Sequence, residues 1–480
     1  MYWMLAIRHL LVRPGRAAVL LVGYALGVAV MIVLLSVGEA MLSQSQDVSL
    51  VGGGELTALP HGVDVEAMRT GGLAGMFFSI NGARFVSREM LGGMRHADVV
   101  AAVSPVLEQK LLRLRIGDTT WTVRGGGEIP SMARAAGAEL RLVGGAWNDM
   151  PRDAAWHRPE AQSLYDEIDR FHRPSSRDAS WAEWHYFNVV VSEQEWWYIT
   201  LLVGGDLRGD HWGGQVLVTH RRPTGEYQRF ATSVPRNAIT LDTTRADLVV
   251  GMSNVVQRDG VYRVRGASGA ATFDLVLTPA PRRYFPPVEL GDDDAASGYV
   301  VPGLVASAFG RLCAGGDCRD VRDAVAYHDH NWGSWRALTW EWGAGRSDAH
   351  ALLYGGVLSA GRGSRGVPFF MALEDSLGVE QIYRFDAVER FGKRDVPGMP
   401  GIVAPDSMQF IASRGDDTLR VVIHVTDVAA SRSMAAGPDR VFLQMRGRWR
   451  LRGRAARATI ADSGTGFFET WVSTGRPTRR

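Results

Sequence analysis

Two stretches decide how this chain is read: WAEWHYFNVVV, residues Trp181–Val191, and YHDHNWG, residues Tyr327–Gly333. Side chains two apart on a strand share a face. Glu183, His185 and Phe187 therefore form one row of the first stretch, and Trp184, Tyr186 and Asn188 the other. In the second, Tyr327, Asp329 and Asn331 share a face, while His328, His330 and Trp332 share the opposite one. Which row faces a cavity decides which chemistry is on offer.

Working outward, WWYITLLVGG (Trp196–Gly205), GQVLVTHRR (Gly214–Arg222), YQRFATSV (Tyr227–Val234), VYRVRGA (Val261–Ala267) and TFDLVLTPA (Thr272–Ala280) follow. After Trp340 the pattern recurs in ALLYGGVLS (Ala351–Ser359), PFFMALEDS (Pro368–Ser376) and RVVIHVTDV (Arg420–Val428). Short strands split by glycine and proline predict a mainly β chain of antiparallel barrels or sandwiches. From Val441 to Arg454, Val441, Leu443, Met445, Trp449 and Leu451 alternate with Gln444, Arg446, Arg448, Arg450 and Arg452. That is a strand with one buried and one wet face. Its arginines are expected to be a solvated outer face rather than an anion site.

A chain of 480 residues suggests two or three domains. Its formal charge of +2 gives no basic surface for nucleic acid. Most of its 15 tryptophans lie between Trp147 and Trp342, which points to an aromatic core or a pocket for an apolar ligand. Ala17–Val37 carries no charge and matches the ~20 residues of a membrane-spanning helix. Arg8, Arg13 and Arg16 precede it, whereas Glu39 and Asp47 follow. The positive-inside rule predicts a cytoplasmic residue 1–16 segment, a single span at 17–38 and an exported remainder. A cleaved signal peptide is the competing reading, although its apolar region normally runs only ~7–15 residues. In an oxidising compartment, Cys313 and Cys318 can close a small disulfide loop; two free thiols are the alternative.

Between residues 39 and 145, GELTALP (Gly54–Pro60) reads as a strand, Arg84–Arg95 as a helix and Lys110–Gly126 as a hairpin turning at Gly117-Asp118. Ser131 is the expected cap of a short helix after GGEIP. Residues 151–180, charged and punctuated by proline, read as a short helix and a linker. Arg8–Gly145 resembles the first helix and the start of the extracytoplasmic domain of MacB/FtsX-type transporter permeases. Such permeases need further spanning helices, so this chain is expected to partner permease and ATPase subunits of an export system, or else to carry the segment as a tethered remnant. It carries no G-x-x-x-x-G-K-[ST] loop for ATP.

Three readings of YHDHNWG stand open. His328 and His330, with His185 as a third ligand, can grip one zinc. Alternatively, Asp329 walled by aromatic rings keeps its proton and protonates a double bond, with Tyr327 as partner and Glu183 and His185 as the complementary base. Or the cluster only satisfies backbone groups.

WAEWHYFN, YHDHNWG, TWEWG (Thr339–Gly343) and ADSGTGFFETW (Ala461–Trp471) together resemble the carotenoid 1,2-hydratase/AttH-type lipocalin-like family. The resemblance covers about Ser180–Trp471. It implies two tandem lipocalin-like domains, at 146–335 and 336–480, with a ligand pocket in or between them. It also implies that Tyr327 and Asp329 donate a proton to an isolated double bond. On it, Trp184, Tyr186, His330, Trp332 and Trp342 are expected to contact an isoprenoid or lipid-like ligand, with no metal or other cofactor. Related members enclose polyenes for cyclisation, and AttH-type members accompany exporters. A non-catalytic lipid carrier of the export complex is the second expectation.

Overall fold

The computed structural model describes residues 80–92, 98–117, 119–137, 148–157, 169–174, 177–290, 297–335, 338–359, 369–432, 440–455 and 458–473, with 15, 18–19, 22–33, 36 and 166 besides. It divides into two units: residues 1–78 with 96–157, and residues 79–95 with 158–480.

In the first unit, Val106–Ile116 and Thr119–Glu128 pair antiparallel as the expected hairpin. Helix Pro130–Ala135 follows. Ser131 is not its cap: Ile129 holds that position, Pro130 supplies a first-turn residue with no N–H to satisfy, and Ser131 donates from N and Oγ to Asp149. Residues 22–33 are helical and exposed. Among the described residues, no helix is long and apolar enough to cross a membrane. The ends of the expected 17–38 span and the whole GELTALP strand lie outside the described residues.

The second unit contains helix Ile80–Gly92 and two antiparallel β-barrels. In the first barrel, the chain meanders from Trp181–Ser192 through Glu195–Gly205 and Trp212–Arg221 to Tyr227–Pro235. It resumes at Ile239–Leu241 and returns by way of Asp247–Val250, Ser253–Arg258, Val261–Ser268, Ala271–Pro279 and Ser297–Ala314 to Asp317–Ser334. That last strand pairs with the first, so among the described residues the ring is open only between Tyr227–Pro235 and Ile239–Leu241. The second barrel runs from Leu338–Arg346 to Ala458–Ser473 in the same manner. It closes where Gly378–Phe385 meets Ser407–Arg414, at Arg384 and Ser413. An up-and-down meander whose first and last strands pair leaves few open edges.

Alternation decides the cores. Phe187, Val189, Trp197, Ile199 and Leu201 fill the first barrel, and Tyr354, Met371, Phe410, Trp449 and Phe468 the second. Along Arg440–Ala455 Val441, Leu443, Met445, Trp449 and Leu451 are buried while Arg448, Arg450 and Arg452 are exposed, as the alternation requires. Gln444, expected on the wet face, is instead buried, because that face meets the first barrel there. A third core forms where the barrels meet, from Tyr186, Trp196, Tyr198, Tyr327, Trp342 and Phe467 among others. It explains why both faces of the 186–189 segment are buried.

Gly315 and Gly316, with φ of 59° and 93°, form the two-residue turn between Ser297–Ala314 and Asp317–Ser334. Both positions need the left-handed region that glycine enters without strain. One step back from the turn, Cys313 and Cys318 are register partners and are joined by a disulfide. Closing so short a loop constrains the unfolded chain little, so the double change Cys313→Ser with Cys318→Ser is expected to cost about 2 kcal/mol in urea unfolding. A loss near zero would show that the turn alone fixes the hairpin.

Candidate active site between the barrels

Register places Asp329 opposite Tyr186, Tyr327 opposite Asn188 and Asn331 opposite Trp184. All six side chains leave the first barrel on its outer side, toward the second. Asp329 is 3% exposed. Tyr327 donates its hydroxyl hydrogen to Asp329 Oδ2 at 2.8 Å, and Asn331 Nδ2 donates to Oδ1 at 2.7 Å. From the second barrel, the Trp342 indole N–H donates to Tyr327 Oη at 2.9 Å. A continuous chain, Trp342 to Tyr327 to Asp329, thus crosses between barrels.

A second carboxyl joins this seam. Glu469, on Ala458–Ser473, accepts the Trp340 indole N–H at 3.3 Å and is hydrogen-bonded by Tyr186 and Gln444. Gln444 also donates to Tyr186 Oη at 3.3 Å. Ring contacts surround these polar groups: Phe467 meets Tyr327 edge-on at 4.6 Å, Tyr299 meets Trp342 at 5.1 Å, and Trp184 lies 6.1 Å from Trp340.

Burial dominates the electrostatics. It raises the Asp329 carboxyl well above the ordinary carboxylate range, and the nearby Glu469 charge adds to the rise, against the bonds from Tyr327 and Asn331. Burial also pushes Glu469 up to about 7, opposed by the Trp340, Tyr186 and Gln444 bonds. Two carboxyls in one dry site with separately tuned affinities for protons are the arrangement acid–base catalysis uses.

Gly355 sets the Trp342 ring. A Cβ there would lie 2.3 Å from Trp342 Cε3, so the indole rests directly on the glycine. Gly355→Val is expected to lift the indole away from Tyr327 and cost about 1–3 kcal/mol in urea unfolding, through overpacking. A variant as stable as the parent would mean that the ring has room to move.

The opposite faces of the same strands build a different cluster inside the first barrel. His330 pairs with His185 and Trp332 with Glu183. His330 Nδ1 lies 2.7 Å from Asp169 Oδ1, and its Nε2 lies 2.9 Å from Glu183 Oε1. Glu183 is also held by the His172 backbone N–H at 2.9 Å. Asp169 accepts the Tyr262 hydroxyl hydrogen on Oδ2. His328 Nδ1 bonds the Tyr186 carbonyl at 3.0 Å. Burial lowers His328 to about 4 and His330 to about 3, lowers His172 and His185 well below the ordinary imidazole range, and raises Glu183.

The sequence-derived site is therefore two sites on one wall. Asp329, Tyr327, Trp184, Tyr186 and Trp342 share the seam. Glu183 and His185, expected to serve Asp329 as base, are on the barrel side of the sheet because their parity is opposite. His330 and Trp332, expected to contact the same ligand, also point into the first barrel, where Trp332 packs with Trp181 and Val300. Three residues of these clusters are not marked as such by strand periodicity in the sequence. Asp169 and His172 lie in the charged, proline-punctuated stretch 151–180, which has no strand pattern. Glu469 lies in ADSGTGFFETW, where it shares a strand face with Phe467 and Trp471.

No family model matches the sequence, and no curated protein matches it. Several solved structures are similar. A protein described as AttH from Nitrosomonas europaea is 16% identical, with a TM-score of 0.48 over 65% of this chain and 97% of that one. Kievitone hydratase from Nectria haematococca is 13% identical, with a TM-score of 0.45 over 66% of this chain and 94% of that one. CghA with Sch210972 is 12% identical, with a TM-score of 0.46 over 65% of this chain and 98% of that one. At these identities the likeness is one of fold alone.

Proposed function

We propose that this chain is a hydratase-like enzyme that adds water across, or isomerises, a double bond of an unsaturated hydrophobic molecule, isoprenoid or lipid-like, held in the seam. One observation carries the reading: a buried carboxyl, Asp329, is tied through Tyr327 to an indole of the other barrel and surrounded by aromatic rings. Asp329, with Tyr327 as relay, delivers a proton to one alkene carbon as the π bond breaks. The cation at the neighbouring carbon is stabilised by the faces of the surrounding rings. Water then bonds to that carbon and loses a proton to the Glu469 carboxylate. In an isomerisation, Glu469 removes a proton from the adjacent carbon instead. Tyr186, bonded to Glu469 and opposite Asp329 in register, is placed to return the proton.

The test incubates the purified chain with acyclic polyenes in isotopically labelled water. A product heavier by one labelled water, or a shifted double bond, supports the reading. An unaltered, co-purified lipid with no turnover at any pH would instead make the chain a carrier.

The reading extends to place and partners. The uncharged run at 17–37 and the Cys313–Cys318 bond together support an exported, membrane-tethered protein of a bacterial inner membrane, working beside export-transporter subunits. Protease added to intact spheroplasts is expected to digest the β-barrels; full protection would remove this placement.

A further inference from the structure

The cluster inside the first barrel has no role in the seam chemistry, yet its donor atoms converge. Asp169 is fully buried. Its Oδ1 faces His330 Nδ1 at 2.7 Å and His185 Nδ1 at 3.9 Å, and its Oδ2 lies 4.0 Å from His328 Nε2. His185 Nδ1 and His328 Nε2 are buried without a hydrogen-bond partner. His328 donates its one neutral-ring hydrogen from Nδ1 to the Tyr186 carbonyl, which leaves a lone pair on Nε2 directed at a carboxylate. His330 reaches both carboxyls, Nδ1 toward Asp169 and Nε2 toward Glu183. Electron pairs facing one another in a dry barrel are costly unless a cation lies among them.

We infer that Asp169, His185 and His330, with His328 as the fourth ligand, form a binding site for one divalent first-row transition metal, zinc by preference, that stabilises the first barrel. The donor set is three imidazoles and a carboxylate, which zinc takes in closed tetrahedral sites. Tetrahedral bonds of ~2.0–2.1 Å put ligand atoms about 3.3 Å apart, and the separations from Asp169 Oδ1, 2.7 Å to His330 and 3.9 Å to His185, bracket that value. His328 faces the other oxygen, Oδ2, at 4.0 Å and completes the set once the carboxylate turns. The Asp169, His185 and His330 donor atoms all lie within 4.8 Å of one another. Outer partners are in place: Glu183 and the Tyr186 carbonyl hold the far nitrogens of His330 and His328, as carboxylates and carbonyls do behind metal-bound histidines. The rings of His185 and His330, stacked at 4.0 Å, must turn apart so that both lone pairs meet the ion.

A competing set, His172, Glu183 and His330, also has donor atoms within 4.8 Å of one another. Its contacts are already complete as hydrogen bonds, because Glu183 accepts from the His172 backbone and lies within reach of both rings. We therefore assign His172 and Glu183 to the outer layer.

The full chain, stripped with a chelator and reloaded with Zn²⁺ or Co²⁺ alone, tests this by metal analysis, thermal melting and the visible spectrum of the cobalt form. Expected are one ion per chain, a higher melting temperature on loading, and a tetrahedral cobalt absorption. His185→Ala and His330→Ala are expected to lose stoichiometric binding, Glu183→Gln to weaken it about 10–100-fold, and His172→Ala to retain it. Circular dichroism confirms that each variant is folded. Should a variant not fold, the cobalt spectrum of the parent decides: octahedral or absent absorption overturns the site. So does stoichiometric binding that survives His185→Ala but is lost with His172→Ala.

Discussion

Asp329→Asn is expected to lower turnover about 10²- to 10⁴-fold, the range associated with losing a positioned acid, while leaving the fold intact. The amide is nearly the same size as the carboxyl. Its oxygen can accept the Tyr327 hydroxyl hydrogen, and its NH₂ can face Asn331 once that amide turns its own oxygen inward. Both hydrogen bonds of the parent site, at 2.8 and 2.7 Å, therefore have counterparts in the variant. Removing a carboxyl that burial makes hard to ionise carries no stability cost at neutral pH. Activity and stability should thus separate. Tyr327→Phe is expected to fall between the parent and Asp329→Asn, because it removes the relay but keeps the acid. Product formation by mass spectrometry, read beside urea unfolding, checks the pair; an Asp329→Asn protein that turns over at the parent rate ends the acid assignment.

The second large effect is one of pH. Glu469 titrates at about 7 in the folded chain against an ordinary 4.5. Below the lower value it is protonated in both states and contributes nothing to the pH dependence. As pH rises from about 4.5, the unfolded chain ionises first and gains free energy that the folded chain does not. Stability falls until about pH 7 and is level beyond, a total of about 3 kcal/mol at ~1.4 kcal/mol per pH unit. Glu469→Gln removes this dependence. Unfolding by urea across that window should show the variant gaining about 3 kcal/mol on the parent. Glu183, Glu341 and Glu374 are raised as well and contribute alike to both proteins, whereas Asp329 is raised in part by the Glu469 charge, so the difference reports Glu469 together with its coupling to Asp329. A parent-to-variant difference that stays constant with pH would remove Glu469 from the dry seam.

Much of this was legible from strand alternation, because a period of two assigns faces without knowing what lies beyond them. The separation of Tyr327 and Asp329 from His328 and His330 was readable in that way, and so was the alternation of Val441–Leu451. What parity cannot tell is whether the outer face meets water or another barrel. A chain of one barrel and a chain of two share the same local pattern, so the burial of Tyr186, Tyr327 and Trp342 against one another was outside its reach. Asp169 and His172 were hidden for a different reason. They lie in an irregular segment, where no periodicity marks a residue as inward, and only the closed barrel brings them to His330. Glu469 is separated from Asp329 by 140 positions, and nothing local links the two.

The two-sided wall has a consequence for how this chain can vary. Along Tyr327–Trp332 neighbouring residues belong to different chambers, so an indel of one residue there would turn the wall inside out. It would send imidazoles into the aromatic seam and Asp329 among the histidines, with every backbone pairing still possible. At Gly315-Gly316, near the far end of the same hairpin, a lengthened turn would disturb only the tip and its Cys313–Cys318 bond. The reading frame of a single strand, more than the identity of any one side chain on it, keeps the two chemistries apart.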